Sequence, residues 1–186
     1  ALGASVAQLA HVWGAGLDIA SVAGPMLRRL WDETGETVAL LVHEGNDRLC
    51  VAELPSAQPL SFKRGVGHRE NVARGASGRV ILAHLASPEA YVQKEDGAPA
   101  DLAALRKRLE KVRKQGFEVS RDELIKGAVA VAVPVFVGDG QVIGSLAVFG
   151  PGVRVDEARV SFFAERLKAE SKKLSQALGQ RQEART

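Results

Sequence analysis

The chain has 186 residues, of which 46% are apolar and 25% are charged, and this composition excludes a disordered or collagen-like chain. Its 25 basic and 22 acidic residues leave a net charge of +3, which is too small to indicate nucleic-acid binding by itself. A single cysteine, Cys50, excludes an internal disulfide. We therefore expect a cytoplasmic protein.

Targeting signals are not evident in the sequence. Apolar runs such as residues 128–137 are too short to cross a bilayer, and no basic leader precedes an apolar segment. We expect neither membrane insertion nor secretion. Because the chain starts at Ala1 and enters a helical pattern at once, we expect it to be one piece of a longer protein.

The first third of the chain predicts two helices and then a hairpin. Apolar periodicity over residues 6–13 predicts a short helix that ends near residues 14–16, and a second helix is expected from Asp18 to Gly35. Two β-rich runs, residues 37–43 and 48–54, flank a turn signal and predict an antiparallel hairpin.

Further elements follow in the middle of the chain. A third strand is expected over residues 59–63. The small and polar residues of 65–78 predict a structured loop that leads into a helix at residues 79–85. Asp101 is expected to cap a longer helix that Gly116 ends, with a basic outer face that we interpret as solvated.

The last part of the chain predicts a second hairpin and a final helix. Residues 126–137 and 141–149 are nearly continuous in apolar residues, which indicates strands covered on both faces. The final helix is expected to begin near Val155 and end at Gly179, followed by a polar tail over residues 180–186. We find no linker that splits residues 1–179, so the sequence predicts one α+β domain with an antiparallel sheet flanked by helices.

Motifs for catalysis are incomplete. The segment Gly75-Ala76-Ser77-Gly78 lacks the final glycine of a nucleophile elbow, because Arg79 stands there. The run Gly65-Val66-Gly67 lacks the third glycine of a dinucleotide fingerprint. The four histidines lack metal-ligand spacing, and Asp122-Glu123 has no partner nucleophile, so a loop or cap role is expected for that pair. Cys50 is expected to be a buried small hydrophobe. We expect no catalytic site, metal or cofactor.

The segment Arg74 to Arg79 has two possible roles. Consecutive small residues allow a ligand to approach the backbone, and the free N–H groups at the start of the following helix attract a carboxylate or another anion. The alternative is a tight loop that only packs against the sheet. The residues leave both roles open.

Several segments, in this order and spacing, carry a family resemblance. They are LRRLWDETGETVALL (27–41), VGHR (66–69), ARGASGRVILAHL (73–85), VRKQGF (112–117) and VAVPV (131–135). Together they resemble the effector-binding domain of the IclR family of bacterial transcription regulators. The resemblance implies a GAF-like fold, a six-stranded or similar antiparallel sheet with helices around it, which senses a small molecule and mediates subunit association. The family's winged helix-turn-helix domain, which would precede Leu2, is absent from this chain.

The resemblance also implies an effector site between the sheet and the segment that corresponds to residues 75–79. The implied effector-binding residues are Gly75, Ala76, Ser77 and Gly78 on that segment, and Ser120, Ala130, Ala147 and Phe149 opposite it. Ser120 keeps a hydroxyl, whereas the other three facing residues are apolar. We therefore expect an aromatic or aliphatic acid, with its carboxylate at residues 76–78 and its apolar body against Phe149.

These observations predict a non-enzymatic effector-sensing domain of an IclR-type regulator, for example a repressor. We expect it to form homodimers or homotetramers, to contact no membrane, and to reach DNA only through the missing N-terminal domain. Two alternatives remain. The first is an assembly module with a vestigial pocket, and the second is an α+β enzyme with an unrecognised site.

Overall fold

A six-stranded antiparallel sheet forms the middle layer of the protein, in the order β3-β2-β1-β6-β5-β4. The computed structural model describes residues 4–92, 101–138 and 140–183, and it describes their side chains from residue 19 to residue 179. The strands are β1 Thr37–Glu44, β2 Asp47–Leu54, β3 Arg69–Asn71, β4 Glu118–Arg121, β5 Ala128–Val137 and β6 Gln141–Pro151.

Helices cover both faces of this sheet. They are α1 Ala4–Thr34, α2 Gly75–Leu82, α3 Leu102–Gln115 and α4 Glu157–Glu183, with a short 3-10 helix at Pro88–Tyr91. The side chains of α1 and α4 pack against one face of the sheet, and those of α2 and α3 pack against the other face. Because successive strand residues point to opposite faces, the apolar runs of β5 and β6 supply both cores. The prediction of one α+β domain with an antiparallel sheet flanked by helices is confirmed.

Local signals placed several elements correctly. The two predicted hairpins are β1–β2 and β5–β6. Gly35 and Gly116 end their helices with positive φ angles of 69° and 75°, a conformation that glycine adopts without steric cost. The Asp101 side chain accepts a hydrogen bond from the Ala104 N–H at 2.9 Å and caps α3 as predicted.

The limits of two helices were predicted wrongly. Residues 4–34 form one helix rather than two, so the glycines at 14 and 16 do not break it. At the other end of the chain, α4 continues past Gly179 to Glu183, and the polar tail of residues 180–186 therefore begins as helix. A glycine costs about 1 kcal/mol inside a helix, which a long packed helix tolerates.

The strand expected at residues 59–63 is absent, and β3 lies at Arg69–Asn71 instead. Side chains donate hydrogen bonds to backbone carbonyl oxygens that a strand there would use to pair with its neighbour. Thr37 Oγ1 donates to the Phe62 carbonyl oxygen at 2.6 Å, and Arg154 Nη2 donates to that of Leu60 at 2.8 Å. This segment is therefore a loop held by long-range hydrogen bonds.

Helix α2 begins at Gly75, four residues before the predicted start at Arg79. The Glu123 carboxylate accepts a hydrogen bond from the Gly75 N–H at 2.8 Å and so satisfies one free donor of the first turn. A cap that lies 48 residues away gives no local sequence signal.

Within the described part of the chain, no helix is both long enough and apolar enough to cross a membrane.

Candidate functional site

A cavity lies between the α2–α3 face of the sheet and the N-terminus of α2. It encloses about 620 Å³ of empty space, part of which is open to solvent. Strands β1, β2, β4, β5 and β6 contribute its floor. The loop between β4 and β5 and the segment before β3 form its other walls. The predicted site residues that line it are Ala76, Ser77, Ser120, Ala130, Ala147 and Phe149.

The cavity exists because neighbouring strands present alanine at this face. Ala39 of β1 is paired with Ala147 of β6, and Ala130 of β5 is paired with Phe149 of β6. Their sequence neighbours on the opposite face are valine and leucine, which fill the core under α1 and α4. The same strands therefore close one face with large side chains and leave space on the other. Phe149 supplies an aromatic wall to that space.

Gly75 and Gly78, which were also predicted as site residues, do not line the cavity. They allow α2 to pack closely. A Cβ atom at Gly75 would lie 2.7 Å from Leu124 Cδ1, and φ at this residue is +68°. A Cβ atom at Gly78 would overlap the Val72 carbonyl oxygen and lie 2.8 Å from Arg48 Nη1. Because glycine has no side chain, the start of α2 can pack directly against β2 and against the end of β3.

Arg48 of β2 lies at the base of the cavity and was missed by the sequence analysis. Arg48 is only 1% exposed. Its Nε donates a hydrogen bond to Ser77 Oγ at 2.8 Å, and its Nη1 donates one to the Asn71 carbonyl oxygen. Burial lowers the pKa of Arg48 to about 10, so the guanidinium is still charged at neutral pH. Among the described residues, no carboxylate forms an ion pair with it. A cation directly before the apolar residues of a strand was the available signal.

A polar group borders the cavity at the segment before β3. Arg64 Nη1 lies 3.3 Å from His68 Nε2 and 3.6 Å from Glu70 Oε2. The Glu53 carboxylate accepts hydrogen bonds from the backbone N–H groups of Arg64 and Gly65, which holds this segment against β2. His68 belongs to the VGHR segment that carried part of the resemblance, but no local pattern assigned it a contact.

The cavity contains a cysteine thiol, and the described residues hold no cluster of metal-ligating side chains. Cys50 is buried and lines the cavity, and burial raises the pKa of its thiol to about 12. The thiol is therefore neutral at physiological pH and a poor nucleophile. No group of three or more histidine, cysteine or acidic side chains within the described ranges is arranged to hold a metal ion.

A second wall is a loop, residues 122–127, that an ion pair joins to the start of α2. Glu123 accepts hydrogen bonds from Arg79 Nη1 at 2.6 Å and Nη2 at 2.7 Å, in addition to the bond from the Gly75 N–H. Asp122 accepts a hydrogen bond from the Gly127 N–H at 2.6 Å across the same loop. Leu124 and Ile125 then face the cavity. The loop and cap roles predicted for Asp122 and Glu123 are confirmed.

Comparison with known proteins agrees with this architecture. Residues 14–176 match the family described as the bacterial transcriptional regulator IclR C-terminal domain. The chain belongs to the IclR family. Its members are transcriptional regulators and do not form an enzyme family, as expected from the sequence.

Two named relatives are identical to this IclR-family chain at slightly more than a quarter of the aligned positions. It is 27% identical over 171 residues to the HTH-type transcriptional regulator KipR of Bacillus subtilis, covering 88% of this chain and 68% of KipR. It is 28% identical over 170 residues to the HTH-type transcriptional repressor AllR of Escherichia coli, covering 87% of this chain and 63% of AllR. The chain therefore spans less than two thirds of AllR and only slightly more than two thirds of KipR.

Solved structures of the family share the fold. The IclR protein of Thermotoga maritima is similar with a TM-score of 0.80 at 24% identity, covering 92% of this chain and 74% of that one. The C-terminal domain of the E. coli transcriptional regulator KdgR gives a TM-score of 0.73 at 25% identity, covering 87% of this chain and 99% of that one. The second match covers nearly the whole of an isolated C-terminal domain of a transcriptional regulator.

The Arg79–Glu123 pair predicts a pH-dependent contribution to stability. Burial opposes ionisation of Glu123, but the Arg79 guanidinium and the Gly75 N–H outweigh it and lower the pKa of the carboxyl group. A carboxyl group whose pKa is lowered by folding stabilises the protein above its unfolded-state pKa, and this stabilisation is lost as the pH falls through the folded-state pKa. The Glu123 side chain is 30% exposed, so the effect should be moderate.

We expect Glu123→Gln to lower the free energy of unfolding by about 1–3 kcal/mol at pH 7, because it removes the charge beside buried Arg79. The difference from the parent should shrink as the pH falls below about 4. Urea denaturation at several pH values measures both effects. Glu110→Gln on the exposed side of α3 is the matched control. Equal losses in both variants, or a difference that does not change with pH, would contradict the assigned role.

Proposed function

We propose that this domain senses a small organic acid in the cavity, and that binding controls DNA binding by the complete regulator. The observation that carries the proposal is Arg48, a buried cation without a carboxylate partner among the described residues, at the base of a cavity with mainly apolar walls. Arg79, the other buried arginine nearby, has Glu123 as its partner. Glu70 and Glu123 line the same cavity and act on Arg48 from a distance, but neither forms an ion pair with it. A ligand carboxylate would give Arg48 a directly bound counter-charge.

The lining residues support a ligand with one anionic end and one apolar end. The carboxylate would lie beside Ser77 and Arg48, where the first-turn N–H groups of α2 also favour negative charge. The apolar body would lie on Ala147 and Phe149. Ser120 supplies one hydroxyl for a further hydrogen bond. An aromatic or aliphatic acid fits these walls better than a very small polar effector.

Signal transfer to DNA would follow the chain from β1 to α1. Strand β1 lines the cavity with Ala39 and Leu41, and α1 precedes it directly in sequence and packs on the other face of the sheet. A ligand that binds one arrangement of these elements better shifts the population toward it. The DNA-reading domain that the family resemblance implies before residue 1 would respond through α1. A repressor, as the relative AllR is named, is one form of this control.

Filling the cavity tests the site. A metabolite screen by thermal shift first selects an organic acid, and calorimetry then measures its affinity. At one hundred times the dissociation constant, the acid should stabilise the parent by about 2.7 kcal/mol, and Ala76→Trp should remove this stabilisation because the indole occupies the ligand space. Ser120→Ala is the milder comparison and should weaken binding by about 0.5–1.5 kcal/mol.

Three results would contradict the proposal in different ways. Unchanged affinity in an Ala76→Trp protein with a native circular dichroism spectrum would place the ligand elsewhere. A screen in which no acid stabilises the parent would favour an assembly module with a vestigial pocket. Turnover of the acid by the domain alone would instead support an enzyme.

We also propose that the domain self-associates as a homodimer or homotetramer. The apolar face predicted on the first helix, with Val6, Leu9 and Trp13, is one candidate surface, although these side chains lie outside those that the structure describes. Val153 is 88% exposed and Leu60 is 53% exposed, and they are candidates for a second surface. Sedimentation over a wide concentration range measures the association. A strict monomer at high micromolar concentration would exclude it.

A further inference from the structure

A second, separate groove lies at the end of the sheet between the C-terminus of α3, strand β5 and the middle of α4. It encloses about 880 Å³ of empty space, much of it open to solvent, and it shares no lining residue with the first cavity. Its cationic side chains are Arg113, Lys114, Lys168 and Lys172. We call it the basic groove. No described residue that lines it is an aspartate or a glutamate.

The cations of the basic groove lack acidic partners within the described part of the chain. Arg113 donates its Nε to the Ala83 carbonyl oxygen, and Lys168 Nζ lies 5.0 Å from the Phe117 ring centroid. None of the four forms an ion pair with a described carboxylate. Like charges that converge without counter-charges repel one another, and a bound anion relieves that repulsion.

Helix dipoles explain only part of this charge. Arg113 and Lys114 lie in the last turn of α3, where they compensate a helix C-terminus equivalent to about −0.5 charge. Lys168 and Lys172 lie in the middle of α4, where no helix end needs compensation. They are four residues apart and therefore lie on one side of the helix, facing the same groove. The groove therefore carries more positive charge than is needed to compensate the dipole at the C-terminus of α3.

The groove is not suited to binding a peptide as an extra β-strand beside β5. Strand β4 pairs with β5 only as far as Ala132, so the next residues of β5 have an open edge. Serines of α4 occupy that edge. Ser171 Oγ donates to the Pro134 carbonyl oxygen at 2.6 Å, and the Phe136 N–H donates to Ser175 Oγ at 3.1 Å. The groove therefore offers side chains to a ligand rather than backbone groups.

His84 gives the groove an unused polar atom beside an apolar surface. Its Nε2 is buried and has no hydrogen-bond partner among the described residues, and its ring packs edge-on against Phe136 with centroids 4.9 Å apart. Burial, together with the charge of Arg113, lowers the pKa of His84, so the ring is neutral at pH 7.

We propose that the basic groove binds a small phosphate-bearing molecule, with the phosphate among Lys168, Lys172 and Arg113 and the rest of the molecule against Phe136. Lysines outnumber arginines here, and an ammonium group binds phosphate as a point charge, whereas bidentate carboxylate recognition favours arginine. Several cations also match the double charge of a phosphate better than the single charge of a carboxylate. The site is distinct from the proposed acid site and does not depend on it.

The test uses inorganic pyrophosphate as the probe in calorimetric titrations of the whole chain at about 0.15 M salt, where exposed charges are screened beyond about 8 Å. Saturable binding is expected. The double variant Lys168→Gln and Lys172→Gln should weaken it about tenfold or more, because two charge-assisted hydrogen bonds are lost. The matched control is Lys107→Gln with Lys111→Gln, an exposed pair on α3 with the same spacing and the same charge change. The control should bind within about twofold of the parent, since neither of its lysines lines the groove.

Three results would overturn the proposal. The first is the absence of saturable pyrophosphate binding. The second is an equal loss in the two double variants, which would indicate a general charge effect. The third is binding of duplex DNA that depends on Lys168 and Lys172 when pyrophosphate does not bind, which would make the groove a backbone-contact surface for nucleic acid. Because all four substituted lysines are exposed, thermal melting should show that both variants fold.

Discussion

The buried charge of Arg48 sets the geometry of the cavity and of the elements around it. Its guanidinium joins β2 to the Ser77 hydroxyl of α2 and to the backbone carbonyl at Asn71, where β3 ends. Close packing around it requires glycine at positions 75 and 78, since a Cβ atom at either one would meet the guanidinium or its neighbours. A buried cation is costly unless its donors are satisfied, so these contacts hold the helix start in one position. No described carboxylate is paired with Arg48, and this is the basis of the proposal that the cavity binds an anion.

The sheet serves two purposes through the alternation of its side chains. One face carries valine and leucine under α1 and α4, which together form a closed core, and the other carries alanines that leave the cavity open. Strand β1 contributes to both faces and follows α1 in the chain, and this is the structural basis of the proposed coupling between the cavity and α1. The Arg79–Glu123 pair holds the remaining wall, so that the cavity is formed before a ligand arrives. A preformed site reduces the ordering cost of binding.

Local sequence signals predicted the elements that depend on neighbouring residues. The two hairpins follow from turn residues and apolar runs, and the ends of α3 follow from Asp101 and Gly116. The signals failed where distant residues decide the structure. The start of α2 depends on Glu123, and the loop at residues 59–63 depends on Thr37 and Arg154. Family resemblance placed six of the eight proposed site residues at the cavity, but Arg48 was missed because its role depends on the contact between β2 and α2.

Comparison of a carboxylic acid with its primary amide tests the central claim most directly. The two molecules have almost the same shape, but only the acid supplies a counter-charge to Arg48. Calorimetry with the acid selected by screening should give an affinity about tenfold to a hundredfold higher than that of its amide, since charge-assisted hydrogen bonds are worth about 1.5–3 kcal/mol. Equal affinities for the acid and the amide would contradict the account, because Arg48 would then contribute no recognition of charge.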